Sequence, residues 1–346
     1  MPNPLREWKR WLFLAAVLGL VAIGLAVRHV YVFATSPLPV TQEQVLEVPE
    51  GASYNRMVAR MAEAGWVAPN DTLSLKVLGR VLGVTSRIHA GEYRLNPGMT
   101  PMTLLDHLVG GKVILHSVTL PEGWTVDRFL ARLRRASALD TGQLPAGPED
   151  PQLLRLLGLA ERGLESAEGW LFPETYRFRR GDDATKILTQ AHKRMRAILK
   201  EEWGERVEGL PLDSAYEALI LASIVEKETA VPSERPMIAG VFINRLREGM
   251  RLQTDPTVIY GLGDDFDGNL QHHHLRATGN PYNTYRRAGL PPTPIANPGR
   301  EAIRAACQPA ETDARYFVAR GDGTHVFSET LAEHNRAVRR FQLGGQ

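Results

Sequence analysis

The stretch ILASIVEKETAVPSERP, beginning at Ile220, sets two glutamates, Glu226 and Glu228, at the end of an apolar run. A carboxyl among aliphatic side chains is disfavoured as an anion, so it keeps its proton to higher pH and can serve as a general acid. The last turn of a helix pushes the same way, because its free carbonyls carry partial negative charge. Helical spacing separates the two acids. Leu221, Ile224 and Val225 lie seven, four and three residues before Glu228 and share its face. Glu226 is turned about 160° away, toward Leu219, Ala222 and Ser223. On the residues alone, a working acid at 228 and an ordinary solvated helix end stand level, because glutamates are seldom buried.

Two further stretches combine polar, aromatic and proline residues: RLQTDPTVIYGLG from Arg251 and NPYNTYRRAGLPPTPIANPG from Asn280. Tyrosine faces can stack on sugar rings while Asn and Gln read hydroxyls, so a glycan groove is one reading. An ordered loop pinned by its tyrosines is the other. Three adjacent histidines, His272 to His274, do not converge as metal ligands on one helix face do. DDFDGN begins like a calcium loop, but Arg276 stands where that loop needs a bidentate glutamate. HExxH, GxSxG, P-loop and GxGxxG patterns are missing. Ser223 is followed three residues on by Glu226 rather than lysine, which excludes the serine–lysine acyl-transfer motif. A candidate acid is left, with neither metal nor cofactor expected.

The elements that must hold these residues follow from punctuation. Ser214 and Glu217 have capping-box spacing, which starts a helix, and Pro232 ends it near Thr229. A second helix is expected from an N-cap at Ser233 to a C-cap at Gly249, burying Met237, Ile238, Val241, Phe242 and Leu246. Glu228 then lies at a tight junction of two packed helices. Thr330 and Glu333 have the same capping spacing before the closing helix. Upstream, VPEGASYNRMVARM and LPEGWTVDRFLARL are similar, and NPGMTPMTLLDHL shares their Pro-Gly-x-Thr core. Each reads as a strand end, a tight turn and a capped helix.

The N-terminus carries Arg6, Lys9 and Arg10 before an uncharged run from Trp11 to Val27. That length is at the lower bound for a spanning helix and exceeds the apolar core of a signal peptide, so an uncleaved anchor is expected. Basic residues on its N-terminal side put that end in the cytoplasm and the rest of the chain outside. The 346 residues carry a net charge of +2, which points to no nucleic-acid partner. The single cysteine, Cys307, excludes intrachain disulfides and cysteine-rich metal sites.

ASIVEKETAVPSERP, VFINRLREGMRLQTDPTVIYGLG, PYNTYRRAGLPPTPIANPG and YFVARGDGTHVFSETLAEHN together resemble the endolytic murein transglycosylases of the MltG (YceG-like) family. The likeness is dense from about residue 168 onward and looser before it, where AGEYRLNPGM and LPEGWT keep the family's order. It implies an α+β protein with an N-terminal transmembrane helix, a small LysM-like module and a larger catalytic domain with a helical active-site floor. The expected divisions are a cytoplasmic stretch at 1–10, an anchor at 11–33, a stalk at 34–44, the LysM-like module at 45–116 and the catalytic domain at 117–346. The family's catalytic glutamate is the second of its E-K-E triplet, which is Glu228 here. In such enzymes one glutamate protonates the glycosidic oxygen between N-acetylmuramic acid and N-acetylglucosamine. It then takes the proton of the muramyl C6 hydroxyl, which closes a 1,6-anhydro ring. Glu226, Gln253, Asp255, Tyr282, Asn283 and Tyr285 fall in the matching motifs and are the candidate substrate-binding residues. The implied partners are peptidoglycan glycan strands and peptidoglycan synthases (penicillin-binding proteins), with the anchor in the bacterial inner membrane. DDFDGNLQHHHLRATGN matches no family motif, so the resemblance gives its histidines no role.

Overall fold

Three times the chain closes a strand with a Pro/Gly turn and caps a helix two residues after the glycine. Gly51, Gly98 and Gly123 take φ of 72°, 82° and 71°, a left-handed conformation that glycine adopts without a Cβ penalty. Ser53, Thr100 and Thr125 then accept hydrogen bonds from the backbone N–H of Arg56, Thr103 and Arg128, at 3.3, 3.2 and 3.4 Å. The likeness seen in the sequence is therefore one local solution used three times, with a side-chain oxygen satisfying a free N–H of the first helical turn.

A computed structural model describes residues 4–343, so the stretch expected to lie in the cytoplasm, 1–10, begins outside the described residues. The chain forms two compact units. The first runs up to His116 and takes in Phe178–Gly181; the second holds Ser117–Arg177 and the chain from Asp182 onward. In the first, α1 (Pro4–Thr35) leads to β1 (Gln44–Val48), α2 (Tyr54–Glu63), α3 (Thr72–Val81), β2 (Gly91–Leu95) and α4 (Pro101–Val109). From Trp8 to Thr35, 28 residues, α1 is long and apolar enough to cross a membrane. β1 and β2 pair antiparallel, Gln44 opposite Leu95 and Val48 opposite Gly91. Leu46, Val48, Tyr93 and Leu95 of the sheet close over Met57, Met61, Leu75, Leu104 and Leu108 of the helices.

The segment read as a stalk belongs to this core. Leu38 and Val40 are buried with it, as is Ala34 at the end of α1, and Leu38 N–H donates to the Met99 carbonyl at 2.8 Å. Two prolines and two aliphatic residues in SPLPV carry no period, so a packed extended segment and a free one look alike in sequence.

The second unit contains β3 (His116–Thr119) and β4 (Thr175–Phe178) apart from their end residues His116 and Phe178, with α5 (Val126–Arg134), α6 (Pro151–Leu156), α7 (Thr185–Gly204), α8 (Ala215–Glu228), α9 (Arg235–Arg247), α10 (Asp255–Leu262), α11 (His272–Arg276), α12 (Arg300–Cys307), β5 (Tyr316–Ala319), β6 (His325–Ser328) and α13 (Leu331–Phe341). β3 with β4 and β5 with β6 form two-stranded sheets. The core is helical, with α8 at its centre against α7, α9, α10 and α12.

Candidate active site

Ser214 caps α8 as expected, accepting from Glu217 N–H at 3.3 Å. The reciprocal bond falls one residue early, from Asp213 N–H to Glu217 at 2.7 Å. Every residue from Ala218 to Val225 is buried, so both faces of α8 are core. The expected contrast, with Glu228 on an apolar stripe and Glu226 off it beside Leu219, Ala222 and Ser223, is therefore corrected, because those three residues are buried as well. What separates the two acids is their partners. Beyond α8, Pro232–Glu234 form a short 3-10 turn, and α9 opens at Arg235 with Glu234, not Ser233, at the cap position.

Glu228 lies in a cleft of about 440 Å³. Thr254, almost fully buried, donates its hydroxyl to Glu228 Oε1. Burial is the first cause that pushes the Glu228 carboxyl up, to about 7, and the negative charge of Asp255 adds to it. The Thr254 hydroxyl and the positive charges of His325 and Arg245 pull the other way without prevailing. The group can thus hold a proton at neutral pH and still release one, which is what a single acid/base needs.

The cleft gathers four of the seven candidates. Gln253, Asp255 and Tyr285 line it with Glu228, and Tyr285 donates its hydroxyl to Asp255 at 2.7 Å. Gln253 has φ of 50°, the one non-glycine residue with positive φ among the described residues. A β-carbon in that region costs of order 1 kcal/mol, so the surrounding bonds must hold it there. They come from Thr284, whose carbonyl accepts Gln253 N–H and whose hydroxyl accepts Thr254 N–H at 3.1 Å.

The other three lie elsewhere. Asn283 has no exposed surface; its amide donates to the carbonyls of His274, Leu275 and Ala277, and its oxygen accepts Tyr285 N–H. With every polar atom spent on backbone, it shapes the loop that delivers Tyr285. Tyr282 shares a hydrogen bond with Thr293 at 2.8 Å and packs edge-on against Tyr260. Glu226 pairs with Arg235 at 3.1 Å and accepts Gly299 N–H at 3.0 Å, at the start of α12. Burial pushes its carboxyl up despite both partners. Of the three histidines, His274 serves its own helix, its Nδ1 accepting Gln271 N–H.

The sequence did not single out Arg245, Thr254, Tyr316 or His325, all of which line the cleft. His325 Nδ1 stands 2.7 Å from Glu234 Oε2, and Glu234 also accepts His325 N–H, so the ring is held by a carboxylate. Arg245 donates to the carbonyls of Arg315 and Leu252 at 2.7 and 2.6 Å. Both lie in motifs quoted above, but residue spacing cannot show that the β5–β6 hairpin faces α8.

A perturbed carboxyl alone would have chosen differently. Glu168 is completely buried and pushed further up, to about 8, by burial. It accepts from Val126 N–H, Asn297 and Tyr260 and does not line the cleft. Its oxygens tie α5, the Asn297 loop and α10 together. Access decides for Glu228.

The comparisons with known proteins cover the whole of this arrangement. The YceG-like family model matches residues 46–340. The endolytic murein transglycosylase of Bacillus subtilis is 32% identical over 268 residues, 74% of this chain and 74% of that protein. The protein of the same name from Streptococcus pneumoniae, strain D39, is 27% identical over 84% of this chain, which spans 57% of its length. The crystal structure of a putative yceG-like protein from Listeria monocytogenes superposes with a TM-score of 0.57 at 30% identity, over 86% of this chain and 99% of that one. A family match that takes in the strand–turn–helix units, the α8 acid and the cleft-forming hairpin alike leaves one assignment, and the chain belongs to the YceG-like family.

Proposed function

We propose that this chain is an endolytic murein transglycosylase in which Glu228 is the acid/base. The observation that carries the reading is a buried carboxyl, poised near 7, on the wall of an open cleft in a chain whose relatives bear that name. Glu228 donates its proton to the glycosidic oxygen between N-acetylmuramic acid and N-acetylglucosamine, breaking the C1–O bond. As carboxylate it then takes the proton of the muramyl C6 hydroxyl as that oxygen bonds to C1, giving the 1,6-anhydro end and restoring the acid. Ordinary glycosidases need a second carboxylate for water or covalent attack; here the substrate brings its own nucleophile. Asp255, held by Tyr285, supplies negative charge where the sugar becomes oxocarbenium-like. The Thr254 hydroxyl fixes the acid.

The same reading takes 117–346 as the catalytic domain and 45–116 as a LysM-like module. α1 is the single-pass anchor in the cytoplasmic membrane, with the N-terminus inside and both units outside. Nascent glycan strands are the substrate, and peptidoglycan synthases are the partners whose product is cut. Mass spectrometry of digested uncrosslinked strands tests this. Anhydro-muramyl ends are expected; reducing ends would make the enzyme a muramidase, and intact strands a wall-binding protein.

Gln253 gives a separate check. Gln253→Gly is expected to raise stability in urea denaturation by about 1 kcal/mol, as the left-handed strain is relieved. It should also raise KM about three- to tenfold, the worth of one lost hydrogen bond. An unchanged KM would remove Gln253 from the substrate contacts.

A further inference from the structure

The apolar surface of the first unit is unevenly spread. Leu73, Val77 and Val81 stand at successive four-residue steps on α3 and are 69%, 39% and 76% exposed. Leu82 follows at the helix end, also exposed, and lines a shallow recess with Met102 of α4. Residues four apart share a helix face, so this is an apolar stripe on the outside of a helix whose opposite face, Leu75 and Leu78, is buried. Within Thr72–Val81 the only charged residues are Lys76 and Arg80, both basic. An amphipathic helix with long aliphatic residues on one face and flanking Lys or Arg suits a bilayer surface better than water.

The position of α1 identifies the occupant. About 20 helical residues cross a hydrocarbon layer of about 30 Å, so a span that begins at Trp11 leaves the layer near Val30. Val30 and Phe33 already pack against the core of this unit. His29 Nε2 lies 3.5 Å from Asp71 Oδ1, two residues before Leu73. With Leu38 and Val40 buried in the same core, no free linker separates the anchor from α3. The start of α3 is thereby tied to the level at which the span leaves the lipid.

We propose that α3 lies on the outer leaflet of the membrane, with Leu73, Val77, Val81 and Leu82 in the boundary between headgroups and acyl chains and Lys76 and Arg80 at lipid phosphates. This rests on the reading of α1 as a membrane span. It makes the first unit a fixed foot on the bilayer instead of a body on a tether.

The test uses the full chain in vesicles of phosphatidylcholine and phosphatidylglycerol. Cys307 is buried, so an environment-sensitive fluorophore can be placed through Leu73→Cys, Val77→Cys or Val81→Cys, with Leu20→Cys and exposed Glu63→Cys as references. Labels at 73, 77 and 81 are expected to lose most of their emission to a quencher on the lipid near the headgroups, and little to aqueous iodide. The label at 63 should show the reverse. Iodide quenching at 77 equal to that at 63, with Leu20 quenched from the bilayer centre, overturns the docking alone. A label at Leu20 that lipid quenchers do not reach overturns the anchor reading and the proposal with it. Protection of 77 from iodide without lipid quenching marks a second copy on this face and also overturns it.

Discussion

Glu228→Gln is expected to leave a folded protein that cuts glycan strands about 10³-fold more slowly, the usual worth of a positioned proton donor. Folding survives because the glutamine oxygen can still accept the Thr254 hydroxyl that now bonds Glu228. The variant carries a signature that simple damage would not produce. Burial raises the Glu228 carboxyl from 4.5 to about 7, so the folded state holds this proton more tightly than the unfolded state does. Its contribution to stability is therefore fully present below about pH 4.5 and is lost as pH rises through 7. Glutamine has no such loss. Wild type and variant should be similar in stability at pH 4 and diverge toward pH 8, with the variant more stable there by up to about 3 kcal/mol. The wild-type rate should fall above pH 7 as the acid ionises. Asp255→Asn, by removing the neighbouring negative charge, should move that fall to lower pH. Urea denaturation and strand cleavage across this range check all three. Near-wild-type turnover by Glu228→Gln would dismiss the mechanism.

Local structure was legible wherever one short stretch determined it. The Ser53, Thr100 and Thr125 caps, the α8 start at Ser214 and the capping box at Thr330 all follow from side chains within four residues of the backbone they satisfy. Long-range placement was not. Helical phase put the two acids on different faces of α8, but a helix packed against α7, α9, α10 and α12 is buried on both, and the face of Glu226 is filled by residues far away in sequence. Asn283 and Tyr285 look equivalent in PYNTYRR, yet one is consumed by three carbonyls and the other reaches the cleft. His325 reaches the cleft only because the β5–β6 register sets it opposite Ala319, on the hairpin that lines the pocket. Family motifs marked such residues without distinguishing those that touch the cleft from those that shape it. That distinction is three-dimensional.

Glu226→Gln should fail in the opposite way from Glu228→Gln, losing stability and sparing the chemistry. The Glu226 carboxylate is 6% exposed and its partner, the Arg235 guanidinium, 10%. Its second oxygen accepts Gly299 N–H at the start of α12, where the helix dipole favours a negative charge. A Cβ added at Gly299 would displace the Glu122 carboxylate, which lies directly over it. Glu122 is itself 3.8 Å from Arg235. Glu226 in this way ties the end of α8 to the starts of α9 and α12, and Arg235 carries the link on to Glu122 of the Pro121–Gly123 turn. Neutralising it leaves Arg235 buried beside a single half-exposed carboxylate, and breaking a buried pair from one side costs about 3–5 kcal/mol. Glutamine keeps an acceptor for Gly299, so the lower figure is expected in urea denaturation, with turnover at 25 °C within a few-fold of wild type. Glu226→Gln combined with Arg235→Met should recover most of the loss, because it removes both charges and their desolvation cost while the glutamine still accepts Gly299 N–H. A Glu226→Gln protein of unchanged stability and abolished turnover would exchange the roles of the two acids. The partners of each carboxyl argue against that exchange: Glu226 is closed off by a guanidinium and a helix start, whereas the hydroxyl that holds Glu228 leaves its other oxygen to the cleft.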